Sequence, residues 1–518
     1  MRKPHLSNAV RALRFCALLA LPAATMSVQG CTDLTEVPAS AITPDNFYQN
    51  SDEVLAGVAG VYASLRSTMW NYYNLSQVST DENIVPTRGG DWYDNGRWIE
   101  MHKQTWSANT PVALEDITGN YNDTFAGVSR ANAVLGALEH VIVANQSEIK
   151  AEVRALRAYY YFPLQDMYGG VPLVTTTEIK PRPASTRADI SKFVETELTA
   201  ARADLPDSRP AEQYGRLTKS SADALLASLF VNAEVFTGTV TASGLTKGAA
   251  RWADAITAAD RVINSGKYTL AADWRSNFSP TNRNSTENVM VVRHVAQDGL
   301  GLTIAMRYTH YNSMANGGWN GFATIAETYN RFDKADDRIN AILVGPQFDL
   351  ITGAPIKDRA GNPLVFTLDI KDITQATEGE GARIAKFRPD PAQVGGNHGN
   401  DYPLYRLAEM YLIKAEAQNE LGQTAAAVAN INIVRARGKA PALNAANFNQ
   451  TTLRAQILNE RLFELIGEGK RRQDLIRAGQ YTSRAWAFKD VTPAYKVLMP
   501  IPQAQIEINP LLKQNPGY

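Results

Sequence analysis

Apolar side chains recur at helical spacing over much of the chain. In residues 51–65 they fall on one face of a helix, at Val54, Val58, Val61 and Leu65. The same periodicity returns at 121–143 and 148–167. These patterns predict amphipathic helices, each of which buries one face against a core.

Later in the chain the predicted helices come in pairs. Segments 220–236 and 252–265 form one pair, segments 404–421 and 424–434 form another, and 452–466 is a further helix. Alanine residues occupy the predicted helix contacts, and a glycine follows several helix ends, where it can terminate the helix. Paired helices of this kind resemble tetratricopeptide units, but their irregular spacing does not fit a regular solenoid.

Two long segments lack helical periodicity. Residues 67–110 are rich in aromatic residues, Gly and Asn, and they predict long structured loops. Residues 277–400 contain strand-like runs at 288–293 and 364–368 and predict a mixed region inserted between two helical parts. The expected fold is mostly α, with tetratricopeptide-type helix pairs and a loop-rich region that carries a few short strands. The predicted parts are 1–30, 31–276, 277–400 and 401–518.

The first 30 residues predict a targeting segment. A basic start is followed by an apolar stretch over 15–26, which is too short to span a bilayer. Gly30 then precedes Cys31, and this arrangement resembles the lipobox of bacterial lipoproteins, with Gln29 as a departure from the usual small residue. We expect residues 1–30 to be a signal peptide that is removed.

The two cysteines of the chain support an anchor. Once Cys16 leaves with the signal peptide, Cys31 is the first residue and the sole thiol, so no internal disulfide can form. We predict that Cys31 is lipidated, because several acyl chains hold a protein at a membrane. The alternative is an ordinary secreted protein in which Cys31 has no role. No other segment is long and apolar enough to cross a bilayer, so membrane contact is expected through the lipid only.

The composition is that of a soluble globular protein. Of the 518 residues, 44% are apolar and 20% are charged, and 52 basic residues balance 52 acidic ones. A chain with no net charge lacks the long-range field that attracts nucleic acid. We therefore expect no nucleic-acid partner.

The sequence lacks familiar catalytic signatures. It contains no HExxH, GxSxG, Walker, GxGxxG or CxxC motif, and its six histidines are scattered. These absences favour a protein that is not an enzyme, with no cofactor and no metal site. A carboxylate pair for glycoside hydrolysis stays open, because the separation of such a pair is a matter of the fold.

Two aromatic clusters lie in segments without periodicity. The first, at residues 89–98, mixes aromatic side chains with short polar ones, and the second follows at 316–322. Aromatic faces stack on the C–H faces of sugar rings, and Asp or Asn side chains hydrogen-bond hydroxyl groups, so this mixture favours a carbohydrate or similar polar ligand. The alternative is that the aromatics pack the loops onto the helices. The predicted ligand-binding residues are Asp91, Trp92, Tyr93, Asn95, Trp98, Trp319 and Asn320.

An ordered set of short segments resembles the SusD/RagB family of nutrient-uptake outer-membrane proteins. No single segment is specific, but their order from the lipobox to the last residue is. They are Cys31 with the residues that follow it, 41–47, 60–62, 157–172, 319–332, 336–338, 404–420, 432–437, 459–475, 498–502 and 509–518.

The resemblance implies a function as well as a fold. Such a protein is lipid-anchored at the cell surface, on the outer membrane. It binds oligosaccharides, or less often other nutrients, and delivers them to a TonB-dependent β-barrel transporter of the SusC/RagA type. Family ligand residues vary, so the resemblance transfers no ligand contact. Two alternatives stay open: a helical glycoside hydrolase, and a tetratricopeptide scaffold that binds only proteins.

Overall fold

The computed structural model describes residues 47–109, 113–314 and 316–518. Within it, Tyr48–Tyr518 form one compact unit. The predictions for residues 1–30 and for Cys31 lie outside the described residues. The division at residues 276 and 400 stays a prediction. In the described part of the chain, no helix combines the length and apolarity that a bilayer span requires.

Helices make up most of the regular structure in the described residues. They are α1 (Ser51–Val78), α2 (Arg97–Lys103), α3 (Leu114–Ala137), α4 (Gln146–Tyr168), α5 (Arg187–Asp204), α6 (Lys219–Val231), α7 (Ala233–Phe236), α8 (Trp252–Ile263), α9 (Ile304–Tyr308), α10 (Ala326–Tyr329), α11 (Leu407–Glu420), α12 (Thr424–Arg437), α13 (Gln450–Leu465), α14 (Arg471–Arg477) and α15 (Gln503–Ile508). Short 3-10 helices lie at Asp94–Gly96, Ala211–Gln213, Trp274–Phe278, Asn282–Asn284, Asp337–Ala341, Ala445–Asn447 and Ala494–Val497. The predicted mostly helical fold is confirmed.

Short strands form two-stranded antiparallel pairs. They are β1 (Thr239–Thr241), β2 (Gly244–Thr246), β3 (Asn288–Val292), β4 (Ile342–Leu343), β5 (Gly345–Pro346), β6 (Val365–Phe366), β7 (Arg383–Ile384) and β8 (Tyr402–Arg406). The pairs are β1 with β2, β3 with β8, β4 with β7, and β5 with β6. Because β8 leads directly into α11, its pairing with β3 attaches the loop-rich region to the later helices.

The long helices pack in a continuous succession. Helix α1 packs on α3, α3 on α4, α4 on α5, α5 on α6, and α6 on α8. Helix α8 then packs on α11, which also contacts α12 and α13. The predicted pairs α6/α8 and α11/α12 are therefore present. Helix starts carry side-chain caps, such as the capping box of Thr186 and Asp189 at α5.

The predicted loop over 67–110 is wrong in part. Helix α1 runs to Val78, well beyond the predicted end at Leu65, and residues 97–103 form α2. The polar residues of the last turns of α1 are satisfied by neighbours: Asn74 Nδ2 donates to Asp116 at 2.8 Å, and Asn71 Nδ2 donates to Asp123 at 3.1 Å. Both acceptors lie on α3, so tertiary packing extends the helix.

Buried ion pairs fasten the loop-rich region to the C-terminal helices. Arg406 pairs with Glu287 at 2.7 Å, with Glu468 at 2.7 Å and with Glu464 at 2.5 Å. Arg338 pairs with Glu460 at 2.7 Å and also with Glu464. This network fixes the region that carries the second aromatic cluster. Nearby arginines also form buried ion pairs, Arg461 with Asp474, Arg471 with Asp81 and Arg472 with Asp166.

Candidate functional site

The first aromatic cluster is a strained turn between α1 and α2. Trp92, Asp94 and Asn95 have positive φ angles of 61°, 37° and 54°, which are uncommon for residues other than glycine. Two indole N–H groups hold the turn, because Trp92 donates to the carbonyl of Trp319 and Trp98 donates to the Asp94 carboxylate, each at 2.6 Å. Such strain persists only where surrounding contacts impose it.

The indole of Trp98 is part of the core. Its ring lies 5.5 Å from that of Trp92 and 5.3 Å from that of Phe322, and Trp98 is only 2% exposed. The absence of a side chain at Gly321 makes room for Trp92, since a Cβ there would lie 2.1 Å from the indole. The prediction that Trp98 contacts a ligand is therefore corrected, because its ring has no free face.

Asn320 is also structural. It is fully buried, its Nδ2 donates to the carbonyl of Glu378 at 3.1 Å, and its Oδ1 accepts from Arg383 at 3.0 Å. The side chain thus links the Glu378 backbone to the Arg383 guanidinium, and its complete burial leaves no surface open to a ligand. Its assignment as a ligand residue is corrected for this reason.

Asp91 takes part in a polar contact between two loops. Its carboxylate accepts from the Tyr311 hydroxyl at 2.5 Å and from Arg359 at 3.0 Å, and the Arg359 guanidinium lies 4.1 Å from the centre of the Tyr311 ring. Burial, followed by the hydrogen bond to Asp91, raises the pKa of Tyr311. Asp91 remains partly accessible. Tyr93, at 58% exposure, and Asn95 point to the surface, and their ligand contacts stay a prediction.

Trp319 meets a tryptophan that was not predicted as a ligand contact. Trp70, in α1, is 40% exposed, and its ring lies edge-to-face with that of Trp319 at a centroid distance of 6.4 Å. Beneath Trp70 lies the guanidinium of Arg307, 3.8 Å from the ring centre. Backbone bonds from residues 319–322 to α9 fix this arrangement, since Trp319 N–H donates to Met306 at 2.7 Å and Phe322 N–H donates to Arg307 at 2.8 Å.

A groove extends from Trp70 along α1. One cavity of about 630 Å³ lies between α1, α3 and residues 299–307, with Trp70 and Arg307 in its wall. A second cavity of about 630 Å³ lies between α1 and residues 212–216 and 291–295. The two share Ala63, Arg66 and His294, so they are neighbouring halves of one groove, which we call the α1 groove.

Small residues on α1 leave the groove open. Gly60, Ala63 and Ser67 line it at helical spacing, and a Cβ added at Gly60 would meet nothing within 4 Å. This series is a signal that sequence reasoning missed, because the helix was predicted to end at Leu65. With α1 extended, Trp70 falls on the same face. The sequence around Arg307 contains no comparable pattern that would have indicated a role in the groove. An open groove with an aromatic edge is suited to an extended polar ligand.

The described residues offer no obvious metal centre. In residues 47–109, 113–314 and 316–518, no group of three or more His, Cys, Asp or Glu side chains is arranged to hold a metal ion.

Comparison with known families identifies the chain. The model of the SusD family matches residues 264–518, and a second family, described as "Starch-binding associating with outer membrane", matches residues 35–231. The chain belongs to the SusD/RagB family. This assignment confirms the resemblance that the ordered segments indicate.

Individual SusD proteins are similar over most of their length. The chain is 26% identical to the starch-binding protein SusD of Bacteroides thetaiotaomicron, over 86% of this chain and 85% of that protein. A SusD-like protein of Bacteroides fragilis has a TM-score of 0.74 at 22% identity, covering 92% of this chain and 98% of the other. Surface glycan-binding protein A of Bacteroides thetaiotaomicron, in complex with laminarihexaose, has a TM-score of 0.69 at 23% identity, covering 90% and 99%. The two structures share the fold described above.

Proposed function

We propose that this SusD-family chain is a non-catalytic glycan-binding protein of the cell surface. The observation that carries the proposal is the edge-to-face pair of the exposed Trp70 and the half-buried Trp319 at the end of the open α1 groove. Aromatic rings held at a fixed angle stack on successive sugar rings, and the groove accommodates the rest of the chain. The names of two relatives, a starch-binding protein and a surface glycan-binding protein, support a glycan as the ligand.

Calorimetry with oligosaccharides tests this proposal. Trp70→Ala and Trp319→Ala should each weaken binding by about tenfold or more, as expected for an aromatic anchor of a binding surface. Trp252→Ala is the control, because Trp252 lines a separate cavity. Unchanged affinity in both groove variants would remove the site. Tyr93→Ala and Asn95→Ala measure whether the exposed turn also contacts the ligand.

The described carboxylates that line the α1 groove lie one in each half, Asp123 and Glu212, which favours binding over hydrolysis. Among the described residues that line the cavity beside Trp70, Asp123 is the one carboxylate. Glycoside hydrolysis generally needs two carboxyl groups about 5–10 Å apart across the scissile bond. The purified protein should therefore leave every oligosaccharide that it binds at its original length, which chromatography of the incubated ligand measures. Shortened products would favour the hydrolase alternative.

Anchoring and transport complete the proposal. Cys31 carries the lipid, and the protein sits on the outer membrane beside a TonB-dependent β-barrel of the SusC/RagA type, which receives the glycan. Mass spectrometry should find acyl chains on Cys31, and Cys31→Ala should release the protein from the membrane fraction. The transporter should co-purify with both wild type and Trp70→Ala. A chain that holds the transporter but binds no glycan would favour the scaffold alternative.

A further inference from the structure

The cavity beside Trp70 is lined by three arginines from different elements. Arg66 comes from α1, Arg130 from α3 and Arg307 from α9. The hydrogen bonds that they donate go to uncharged oxygens: the carbonyl of Arg293 at 3.4 Å, the Ser64 hydroxyl at 2.5 Å and the Asn74 amide at 2.5 Å, respectively. Within the described residues, none of the three forms an ion pair.

This lack of carboxylate partners distinguishes the three from other arginines in the same chain. Arg338, Arg406 and Arg471 are buried, and each pairs with at least one carboxylate at 2.7 Å. The chain has 52 acidic residues, so acidic partners are not scarce.

Of the three groove arginines Arg307 alone is buried, Arg66 is half-buried and Arg130 is exposed. Burying a positive charge without a direct ion pair costs free energy, and the nearby Asp116 acts on Arg307 without touching it. With no carboxylate in ion-pair contact, the cluster at the α1 groove can receive an anion from outside the chain.

Arg307 is the most deeply buried arginine of the cluster. It is 2% exposed, and its Nε has no hydrogen-bond partner among the described residues. Burial lowers the pKa of Arg307 to about 10, and the group stays charged at neutral pH. The overlying ring of Trp70 offsets part of the cost through a cation–π contact. A carboxylate or sulfate that reached the groove would offset more of it, since hydrogen bonds between charged partners are the strong ones.

Two acidic residues oppose this charge, Asp123 in the half of the groove beside Trp70 and Glu212 in the other half. Asp123 lines the same cavity, and its carboxylate accepts a hydrogen bond from Asn71 at 3.1 Å. Burial raises the pKa of Asp123, although the nearby Arg130 acts in the opposite direction.

In the second half of the groove, Arg293 is a further basic residue without an ion pair in the described chain, and its guanidinium lies 5.8 Å from the centre of the Tyr214 ring. Arginines without an ion pair therefore line both halves of the groove, and each half holds one carboxylate among its described lining residues.

The length of the groove indicates an oligomer. Its wall on α1 runs from Leu55 to Trp70, and at the rise of an α-helix these residues span about 22 Å. Arg66 lies in both halves, between Arg293 and the pair formed by Arg130 and Arg307. A repeating acidic chain would meet a positive charge at more than one point along this path.

We propose that the ligand of the α1 groove is an acidic oligosaccharide, whose carboxylate or sulfate groups pair with Arg66, Arg130 and Arg307 while a sugar ring stacks on Trp70. This inference rests on the proposed glycan-binding function and adds the charge of the glycan to it.

The test compares three oligosaccharides of equal length by calorimetry: an oligogalacturonate, which carries carboxylates, a carrageenan fragment, which carries sulfates, and a neutral laminarin fragment. At least one acidic probe should bind about tenfold or more tightly than the neutral one, since hydrogen bonds between charged partners are stronger than those between neutral ones. The preferred acidic probe identifies the anion. Its affinity should fall as salt is raised.

Two variants and one control assign the effect to the groove. Arg66→Gln combined with Arg130→Gln should weaken the acidic probe by about tenfold or more and leave the neutral probe unchanged. Asp123→Asn, which removes the opposing charge beside Trp70, should tighten the acidic probe. Lys192→Gln, in α5 and outside the groove, removes one positive charge and should change neither.

The outcomes separate this inference from the proposed function. Equal binding of neutral and acidic probes, unaffected by the arginine variants, would overturn the acidic ligand and leave glycan binding intact. Failure of every probe to bind would overturn both. Weaker acidic binding in the Lys192→Gln control, equal to that in the arginine variant, would attribute the effect to overall charge and would overturn the assignment to the groove.

Discussion

The indole N–H of Trp92 donates a hydrogen bond of 2.6 Å to the backbone carbonyl of Trp319, a residue 227 positions later in the sequence. This bond joins the two aromatic clusters of the chain into one surface. The two tryptophans therefore have different roles, because the indole N–H of Trp92 is used to hold the backbone of Trp319 in place. The surface that we propose for glycan binding therefore depends on a contact between distant segments.

Gly321→Ala tests that contact. An added Cβ would lie 2.1 Å from the Trp92 indole, so the ring must move and the bond to Trp319 should break. Overpacking of a close contact costs about 1–3 kcal/mol of the free energy of unfolding. We expect a loss of this size in urea denaturation, together with weaker oligosaccharide binding.

Gly136→Ala is the matched control. Gly136 lies in the last turn of α3, and an added Cβ would meet nothing within 4 Å. This change should leave binding unaltered and stabilise the protein by up to about 1 kcal/mol through helix propensity. If Gly321→Ala also kept wild-type stability and affinity, the hydrogen bond from Trp92 to Trp319 would contribute neither to stability nor to binding.

Trp98→Ala and Trp70→Ala should have opposite profiles. Trp98 is buried in the core, and its truncation should cost about 3–5 kcal/mol of stability. Trp70 is 40% exposed, and its truncation should cost about 2 kcal/mol, the value of a cation–π contact to a buried guanidinium. Urea denaturation measures the stability of both variants, and calorimetry measures their affinity for oligosaccharides. A stable Trp98→Ala protein with reduced affinity would restore Trp98 as a ligand contact.

These two tryptophans show how far the sequence determines the site. The spacing of apolar residues predicts most of the long helices, because one face of each is buried and the other is polar. The rule fails at the end of α1, where the polar residues Asn74, Ser76 and Gln77 are themselves buried. The pattern there resembles a loop, so Trp70 is not predicted to share a helix face with Gly60.

Residues distant in sequence decide which aromatic side chains of the first cluster are exposed to solvent. Tyr93 is 58% exposed and Trp98 is 2% exposed, although both lie in the same short segment. Phe322 covers Trp98, and it comes from a segment more than two hundred positions later. Local composition does indicate an aromatic surface. It does not indicate which rings face solvent, because the covering residues are set by the fold.

Glu464→Gln should destabilise the protein strongly. Burial alone would raise the pKa of Glu464, but the guanidinium groups of Arg437, Arg406 and Arg338 together lower it well below the ordinary range. Removing the charge leaves these arginines undercompensated in the core, at a cost of about 3–5 kcal/mol in urea denaturation. Lys150→Met is the control, because its ion pair with Glu139 is exposed to solvent and should add little to stability. Equal losses in the two variants would contradict the structural role of the network.

Glu82 should make stability fall between about pH 5 and pH 8. Its side chain is buried, and burial raises its pKa to about 8, against the opposing effects of Arg471 and of the Gly467 N–H. Over this pH range the folded protein keeps a proton that the unfolded chain releases, so rising pH favours unfolding, by at most about 1.4 kcal/mol per pH unit. The stabilising effect of the bound proton is complete below the ordinary carboxyl pKa and is lost as pH rises through 8.

Glu82→Gln should remove this part of the pH dependence, since the amide is neutral throughout and can still accept the Gly467 N–H, which lies 3.3 Å from Glu82 Oε2. The variant should therefore be more stable than wild type near pH 8 and similar to it near pH 5, as measured by urea denaturation across the range. Glu82→Asp retains a carboxyl group in the same setting and should retain the slope. Parallel stability curves for wild type and Glu82→Gln would mean that Glu82 is already ionised at pH 5, held so by Arg471.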